Sequence, residues 1–148
     1  MAFRFPLAPL LRLRQSTERQ KALRLQEASL EVARAREKLN RLEQFLADSA
    51  ASDHAGLAAG RRASELQFAS LIRVNLHKLR LELVAELREA ERKRQQAAGE
   101  YQRAFREREV LETLRARQRR LYQQEAQRRE QRDLDAAHLL RLWRKSSG

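Results

Sequence analysis

The residue types most often used in catalysis are sparse in this chain, and their spacing does not suit a reactive site. The three histidines, His54, His77 and His138, are far apart in the sequence, and cysteine is absent. The sequence has no glycine-rich phosphate loop, no nucleophile motif and no metal-ligand spacing. Its acids are scattered among arginines, which is typical of solvated helix faces. We therefore expect no catalytic residue, no metal site and no cofactor.

Arginine is the residue that stands out. Residues 115–133, RARQRRLYQQEAQRREQRD, are called the basic segment; they hold seven arginines and three acids, and only Leu121 and Tyr122 are large and apolar. A helix of this composition has little to bury. Three interpretations remain open from these residues: a solvated helix, a contact with a protein such as an acidic ring or groove, or a contact with nucleic acid.

The elements that carry these residues are predicted to be long helices. Of the 148 residues 35% are charged and 5% aromatic, and both prolines lie within the first nine positions, which is typical of coiled coils. The net charge of +12 is spread along the chain, as on a solvated rod. No apolar run approaches the roughly 20 residues that span a bilayer, and we read the N-terminal residues as part of the mature protein. The lack of cysteine suits a reducing cytosol.

The predicted fold is all-α, a single antiparallel two-helix coiled-coil hairpin over residues 1–148, with the second helix longer than the first. The predicted helices cover about residues 8–48 and 62–143, joined by a hinge at about 49–61 that contains two glycines and two serines. An S-x-x-Q pattern at 64–67 suits a helix start.

Heptad spacing predicts the seam between the helices. In the first helix the two sets are Leu11, Glu18, Leu25, Val32, Leu39, Leu46 and Leu7, Arg14, Lys21, Ala28, Ala35, Leu42; in the second they are Ala69, Leu76, Leu83, Ala90, Ala97, Ala104, Leu111 and Ile72, Leu79, Glu86. A hinge centred near residues 55–56 makes the numbers of facing residues sum to about 111, so that Leu42 faces Ala69 and Glu18 faces Lys93. About 40 residues of the second helix are then predicted to have no partner.

Two aromatic residues flank this predicted seam near the hinge. Phe45 and Phe68 each precede a seam residue, and with Leu42 and Ile72 they can form an apolar patch on one side of the hairpin. Two interpretations stay open: the rings close the end of the coil, or the patch is a docking site for another protein.

Residues 3–28, FRFPLAPLLRLRQSTERQKALRLQEA, begin with a Phe-rich stretch and a Leu-Leu-x-x-Arg segment. Residues 110–141, VLETLRARQRRLYQQEAQRREQRDLDAAHLLR, contain a Leu-x-x-Leu, basic residues, a Tyr and a Leu-Asp. These two stretches resemble the opening and the C-terminal block of the FliJ family, the small coiled-coil component of bacterial flagellar type III export. The family commonly follows Leu-Asp with Glu, whereas Ala136 stands here.

The resemblance implies a non-enzymatic, stalk-like coiled coil that acts in the cytoplasm, at the inner face of the cell membrane at the flagellar base. It implies binding to the hexameric export ATPase, whose assembly and activity it promotes, to the cytoplasmic part of the membrane export gate, and to export chaperones, without insertion into the membrane. The gate contact corresponds to Leu42, Phe45, Phe68, Ile72 and Leu79. The ATPase contact corresponds to Arg115, Arg117, Arg119, Arg120, Tyr122, Arg128, Arg129 and Arg132.

Two alternatives belong to other classes of protein. A basic coiled coil of this kind can bind nucleic acid, which we consider unlikely because acids interrupt the basic segment. The chain can also be a structural coiled coil that forms homodimers through the unpaired part of its second helix.

Overall fold

The structure, a computed structural model that describes residues 2–148, confirms the all-α helical hairpin. Helix α1 spans Ala8–Ala58 and helix α2 spans Ala63–Ser146, and the two pack against each other. The second helix is the longer, with 84 residues against 51. The chain forms two compact units. We call residues 19–102 the hairpin unit, and residues 2–18 together with 103–148 the terminal unit.

The turn between the helices is shorter than the sequence indicates. It occupies residues 59–62 instead of 49–61, because α1 continues for ten residues past the predicted end. The helix ends in a Schellman arrangement, in which the Arg61 amide donates to the Gly56 carbonyl at 3.0 Å and the Gly60 amide to that of Leu57 at 3.2 Å. Gly60 has φ +81°, a conformation that favours glycine.

The other glycine of the predicted hinge is part of the helix. Gly56 is buried, and a Cβ there would lie 2.8 Å from Cδ of Arg61. Its role is to leave room for the Arg61 side chain. The heptad pattern of α1 also continues past Leu46 through Ser49, Asp53 and Gly56, which are all less exposed than their neighbours. The small and polar residues that resemble a loop in the sequence therefore extend the helix and its seam.

The core of the hairpin unit is a narrow apolar seam. Its buried apolar side chains all lie at predicted positions: Ala28, Val32, Ala35, Leu39, Leu42, Leu46 and Ala90. None of these side chains is completely shielded from water, which is expected for a contact between only two helices.

The pairing register differs from the predicted one. In the hairpin unit Lys38 contacts Glu86 at 3.3 Å and Glu43 contacts Arg80 at 3.1 Å, and Asp53 pairs with Arg73. The residue numbers of these partners sum to between 123 and 126 instead of 111, so the predicted pairing of Leu42 with Ala69 is wrong. The physical reason is the later turn: moving the turn towards the C terminus shifts every facing pair by about twice that distance.

One of the two predicted seam sets on α2 is correct. Ala69, Leu76, Leu83, Ala90, Ala97, Ala104 and Leu111 are all buried or half-buried. The second set is one residue off, because Ile72 and Leu79 are each 42% exposed and Glu86 is exposed. Arg73, Arg80 and Leu87 lie at the seam instead. The aliphatic parts of Arg73 and Arg80 lie along the seam, and their guanidinium groups pair with Asp53 and Glu43 of α1.

The terminal unit is assembled from the two ends of the chain. Its buried apolar residues are Phe5, Leu11 and Ala104. The amide of Ala8 donates to the Phe5 carbonyl at 3.1 Å, which connects the non-helical N-terminal residues to the start of α1. Leu7, predicted to be a seam residue, is 37% exposed. It precedes α1, and Phe5 is buried in this unit.

Candidate interaction surfaces

Four of the five residues matched to the gate contact are exposed. Phe45 is 56% and Phe68 67% exposed, and Ile72 and Leu79 are both 42% exposed; these four side chains are called the apolar flank. Leu42 is only 9% exposed, because it belongs to the seam, so its side chain supports the surface from below. The exposure of both rings contradicts the interpretation in which they close the end of the coil.

The ion pairs show that the apolar flank lies on one side of the hairpin unit. Lys38 and Glu86 pair across the helices, and seven residues closer to the turn on each helix stand Phe45 and Leu79. These two residues therefore face each other on the flank that Lys38 and Glu86 occupy. At 100° per residue, Phe68, Ile72 and Leu79 lie within about 40° of one another on α2. The four residues form one continuous strip that begins at the turn.

The α2 part of this surface has apolar residues beyond the strip. Leu71 is 65%, Val74 50% and Leu81 66% exposed. Large apolar side chains exposed close together on a helix usually mark a contact with another molecule. The residues from Phe68 to Leu81 thus favour a protein contact.

The arginines of the basic segment are all exposed, and Tyr122 is half-buried. Tyr122 contacts Phe3, with ring centroids 5.7 Å apart. Arg115 lines a groove with Phe3, Phe5 and Leu11. The N-terminal residues therefore cover α2 as far as Tyr122, and the prediction that α2 lacks a partner from about residue 103 is wrong. The register explains the difference, since a larger sum of facing residue numbers brings the N terminus against a later part of α2.

The exposed arginines surround the helix. Taking 100° per residue, the seven arginines between Arg115 and Arg132 are spread so widely that no gap between neighbours exceeds about 100°. They do not form the single stripe that a flat or one-sided partner would contact. Such a distribution suits a partner that encloses the helix.

Charged side chains fill the seam of the terminal unit. Arg14 contacts Glu107 at 2.7 Å. Arg108 pairs with Glu18 and contacts Glu112 at 2.5 Å, and its guanidinium lies 4.9 Å from the Phe105 ring centroid. Desolvation disfavours the charged form of Arg108, but the hydrogen bond with Glu18 and the nearby acids outweigh it and raise its pKa.

The sequence pattern alone does not predict this cluster. Heptad spacing places Glu18 in the seam, but the predicted register pairs it with Lys93 instead of Arg108. The signal that could have found the cluster is Arg108 itself, which lies seven residues after Tyr101 and four before Glu112. In the sequence Arg108 also lies four heptads after Arg80.

The part of the chain that the structure describes has neither a candidate metal cluster nor a membrane-spanning segment. No group of three or more His, Asp or Glu residues among residues 2–148 could hold a metal ion. Neither helix within this range is apolar enough over a sufficient length to cross a membrane.

The fold and these surfaces define a class: an all-α helical hairpin whose exposed apolar and arginine-rich regions suit contacts with other macromolecules. The model of the family described as flagellar FliJ protein matches residues 3–147, and the chain therefore belongs to the FliJ family. It is a flagellar export-related protein of a family of non-enzymatic export components. No curated protein and no solved structure shows significant similarity to it.

Proposed function

We propose that this protein is a stalk of the flagellar export apparatus, which binds the hexameric export ATPase, promotes its assembly and activity, and links it to the membrane export gate and to export chaperones. The observation that carries the proposal is the family match over residues 3–147. On this proposal the protein acts in the cytoplasm at the inner face of the cell membrane.

The arrangement of the arginines supports the ATPase contact. A ring of six subunits surrounds whatever enters its pore, so an inserted helix meets carboxylates on every side. The exposed arginines between Arg115 and Arg132 point in all directions around α2, and each can make forked hydrogen bonds to a carboxylate. Tyr122 contributes differently, because it holds Phe3 against the helix.

The apolar flank supports the gate contact. Phe45, Phe68, Ile72 and Leu79 form one exposed strip, and aromatic side chains in such strips often dominate binding. Leu42 takes part only by packing beneath it. Chaperone binding is proposed from the family alone.

The first experiment is ATP hydrolysis by the purified export ATPase of the same organism, with and without this protein, near physiological salt. We expect stimulation that saturates well below one copy per ATPase subunit, as a single stalk in a ring requires. Unchanged hydrolysis, under conditions in which the ATPase forms rings, would overturn the proposal. Salt-sensitive binding to DNA or RNA, together with unchanged hydrolysis, would favour the nucleic-acid alternative.

A further inference from the structure

The last turns of α2, residues 134–145, have a second apolar surface, which none of the contacts proposed above uses. We call these residues the end segment. Leu139 is 65%, Leu140 57%, Leu142 49% and Trp143 67% exposed. Four large apolar side chains are thus exposed within five positions, and a contiguous exposed patch of this kind marks an interaction site.

These side chains share one face of the helix. At 100° per residue, Leu139, Leu140, Leu142 and Trp143 fall within an arc of about 160°. Arg141, Arg144 and Lys145 fall within an arc of about 100° on the other side, next to His138. The acid of the end segment, Asp135, falls within the apolar arc, about 20° from its Leu142 edge and one helical turn before Leu139. The helix is therefore amphipathic, with leucine and tryptophan on one face and basic side chains on the other.

The helix is intact where this surface lies. The hydroxyls of Ser146 and Ser147 each donate to the Trp143 carbonyl at 2.9 Å, and the Ser147 amide donates to the same carbonyl at 3.0 Å. Arg144 and Lys145 lie in the last turn, where positive charge favours the helix dipole. The two faces are therefore maintained up to the end of α2.

We propose that the end segment adsorbs to an anionic lipid bilayer, lying in the plane of the interface with its leucines and Trp143 among the acyl chains. Helices with Lys and Arg on one face and Trp and Leu on the other bind membranes in this way. Twelve residues extend only about 18 Å, too short for the roughly 30 Å hydrocarbon core, so the segment lies on the bilayer and does not span it.

Charge identifies lipid as the occupant in preference to a second copy of the chain. Arg144 and Lys145 lie about 40° and 60° beyond the two edges of the apolar arc, and Arg128, Arg129 and Arg132 precede the end segment on the same helix. Two copies packed through this face would bring like charges together, whereas an anionic headgroup layer attracts every one of them. Tryptophan also prefers the boundary between headgroups and acyl chains.

Trp143 is the only tryptophan of the chain, so its fluorescence reports on this surface alone. The full-length protein is titrated with vesicles of phosphatidylcholine, with and without about a third of phosphatidylglycerol. We expect a blue shift of the emission with the anionic vesicles and little or none with the neutral ones. Absence of a shift with anionic vesicles, or equal shifts with both, would overturn the proposal. A blue shift that appears without vesicles when the protein concentration is raised would identify a second copy of the chain as the occupant.

Two variants separate the apolar and basic contributions while keeping the probe. Leu139→Ser with Leu142→Ser is expected to abolish the blue shift. The matched control, Leu23→Ser with Leu30→Ser, removes two leucines of α1 that are 60% and 49% exposed and should leave the shift unchanged. Changing Arg141, Arg144 and Lys145 to Ser should weaken partitioning by about a hundredfold. Equal losses in the leucine variant and its control would also contradict the proposal. No ATPase is present, so the result is independent of the proposed function.

Discussion

The two units of this protein use the same heptad spacing with different chemistry. In the hairpin unit, seven buried residues form an apolar seam, and further apolar side chains remain exposed near the turn. In the terminal unit only Phe5, Leu11 and Ala104 are buried, and the seam contains the ion pairs of Arg14 and Arg108. Helical spacing therefore defines which residues face the partner helix, whereas residue type defines how strongly they hold it.

The difference has a consequence for stability and for binding. Apolar burial stabilises by about 25 cal/mol per Å², whereas exposed ion pairs contribute about 0–1 kcal/mol each. The hairpin unit has apolar side chains beyond those in its seam, and the terminal unit has arginines beyond those paired in its own seam. The exposed side chains proposed to bind other proteins are therefore apolar in the hairpin unit and arginines in the terminal unit.

The largest expected effect concerns the apolar flank. Phe45→Ala with Phe68→Ala should abolish binding to the cytoplasmic part of the export gate, a loss of at least about a hundredfold, because two aromatic anchors are removed. Helicity and ATPase stimulation should stay unchanged, since both rings are exposed. Binding is measured by calorimetry, and Leu57→Ala, at a 59% exposed position outside the strip, is the control. Retained gate binding would show that the apolar flank is not a docking site.

The second prediction tests the exposed arginines of the basic segment, which belongs to the terminal unit. Changing Arg117, Arg119 and Arg120 to Ser should weaken ATPase binding by about ten- to a hundredfold, because three charge-assisted contacts are lost. The control changes Arg24, Arg34 and Arg88, exposed arginines of the hairpin unit, to Ser and lowers the net charge equally. If both triple variants bind equally well, total charge matters and the position of the arginines does not.

The third prediction concerns the apolar seam. Leu39→Ala should lower the free energy of unfolding by about 2–3 kcal/mol, since Leu39 is 9% exposed and its removal leaves a cavity. Urea unfolding followed by circular dichroism measures the change. Leu30→Ala, at a 49% exposed position on the same helix, should cost less than about 1 kcal/mol. A similar loss in both variants would mean that the seam is not the source of stability.

The smallest effect is expected in the charged seam. Glu18→Gln should lower the free energy of unfolding by less than Leu39→Ala does, because Arg108 loses its charged partner on α1 but keeps Glu112 on α2. Glu27→Gln, at an exposed position of α1, is the control, and the same urea titration measures both. A loss for Glu18→Gln as large as that for Leu39→Ala would remove the distinction between the two seams.

Much of the architecture was predictable because helical periodicity is a local property. The start of α1 at Ala8, the seam positions from Leu11 to Leu46 and one seam set of α2 follow from residues three and four positions apart. The positions of Phe45 and Phe68 beside the seam were also predictable, whereas their exposure was one of two interpretations that the sequence left open. Each of these positions depends only on neighbours along the same helix.

The pairing of the helices was not predictable in the same way. The composition of residues 48–60 suggests a long loop, but the single backbone position that needs glycine is Gly60. That one position defines the turn, and the turn defines every cross-helix partner, including Arg108 for Glu18 and the contact of Phe3 with Tyr122. Local sequence determined the helices, their inward faces and the charge they carry. Only the tertiary structure decided which residues meet, because the partner of each side chain depends on where the chain reverses, many residues away.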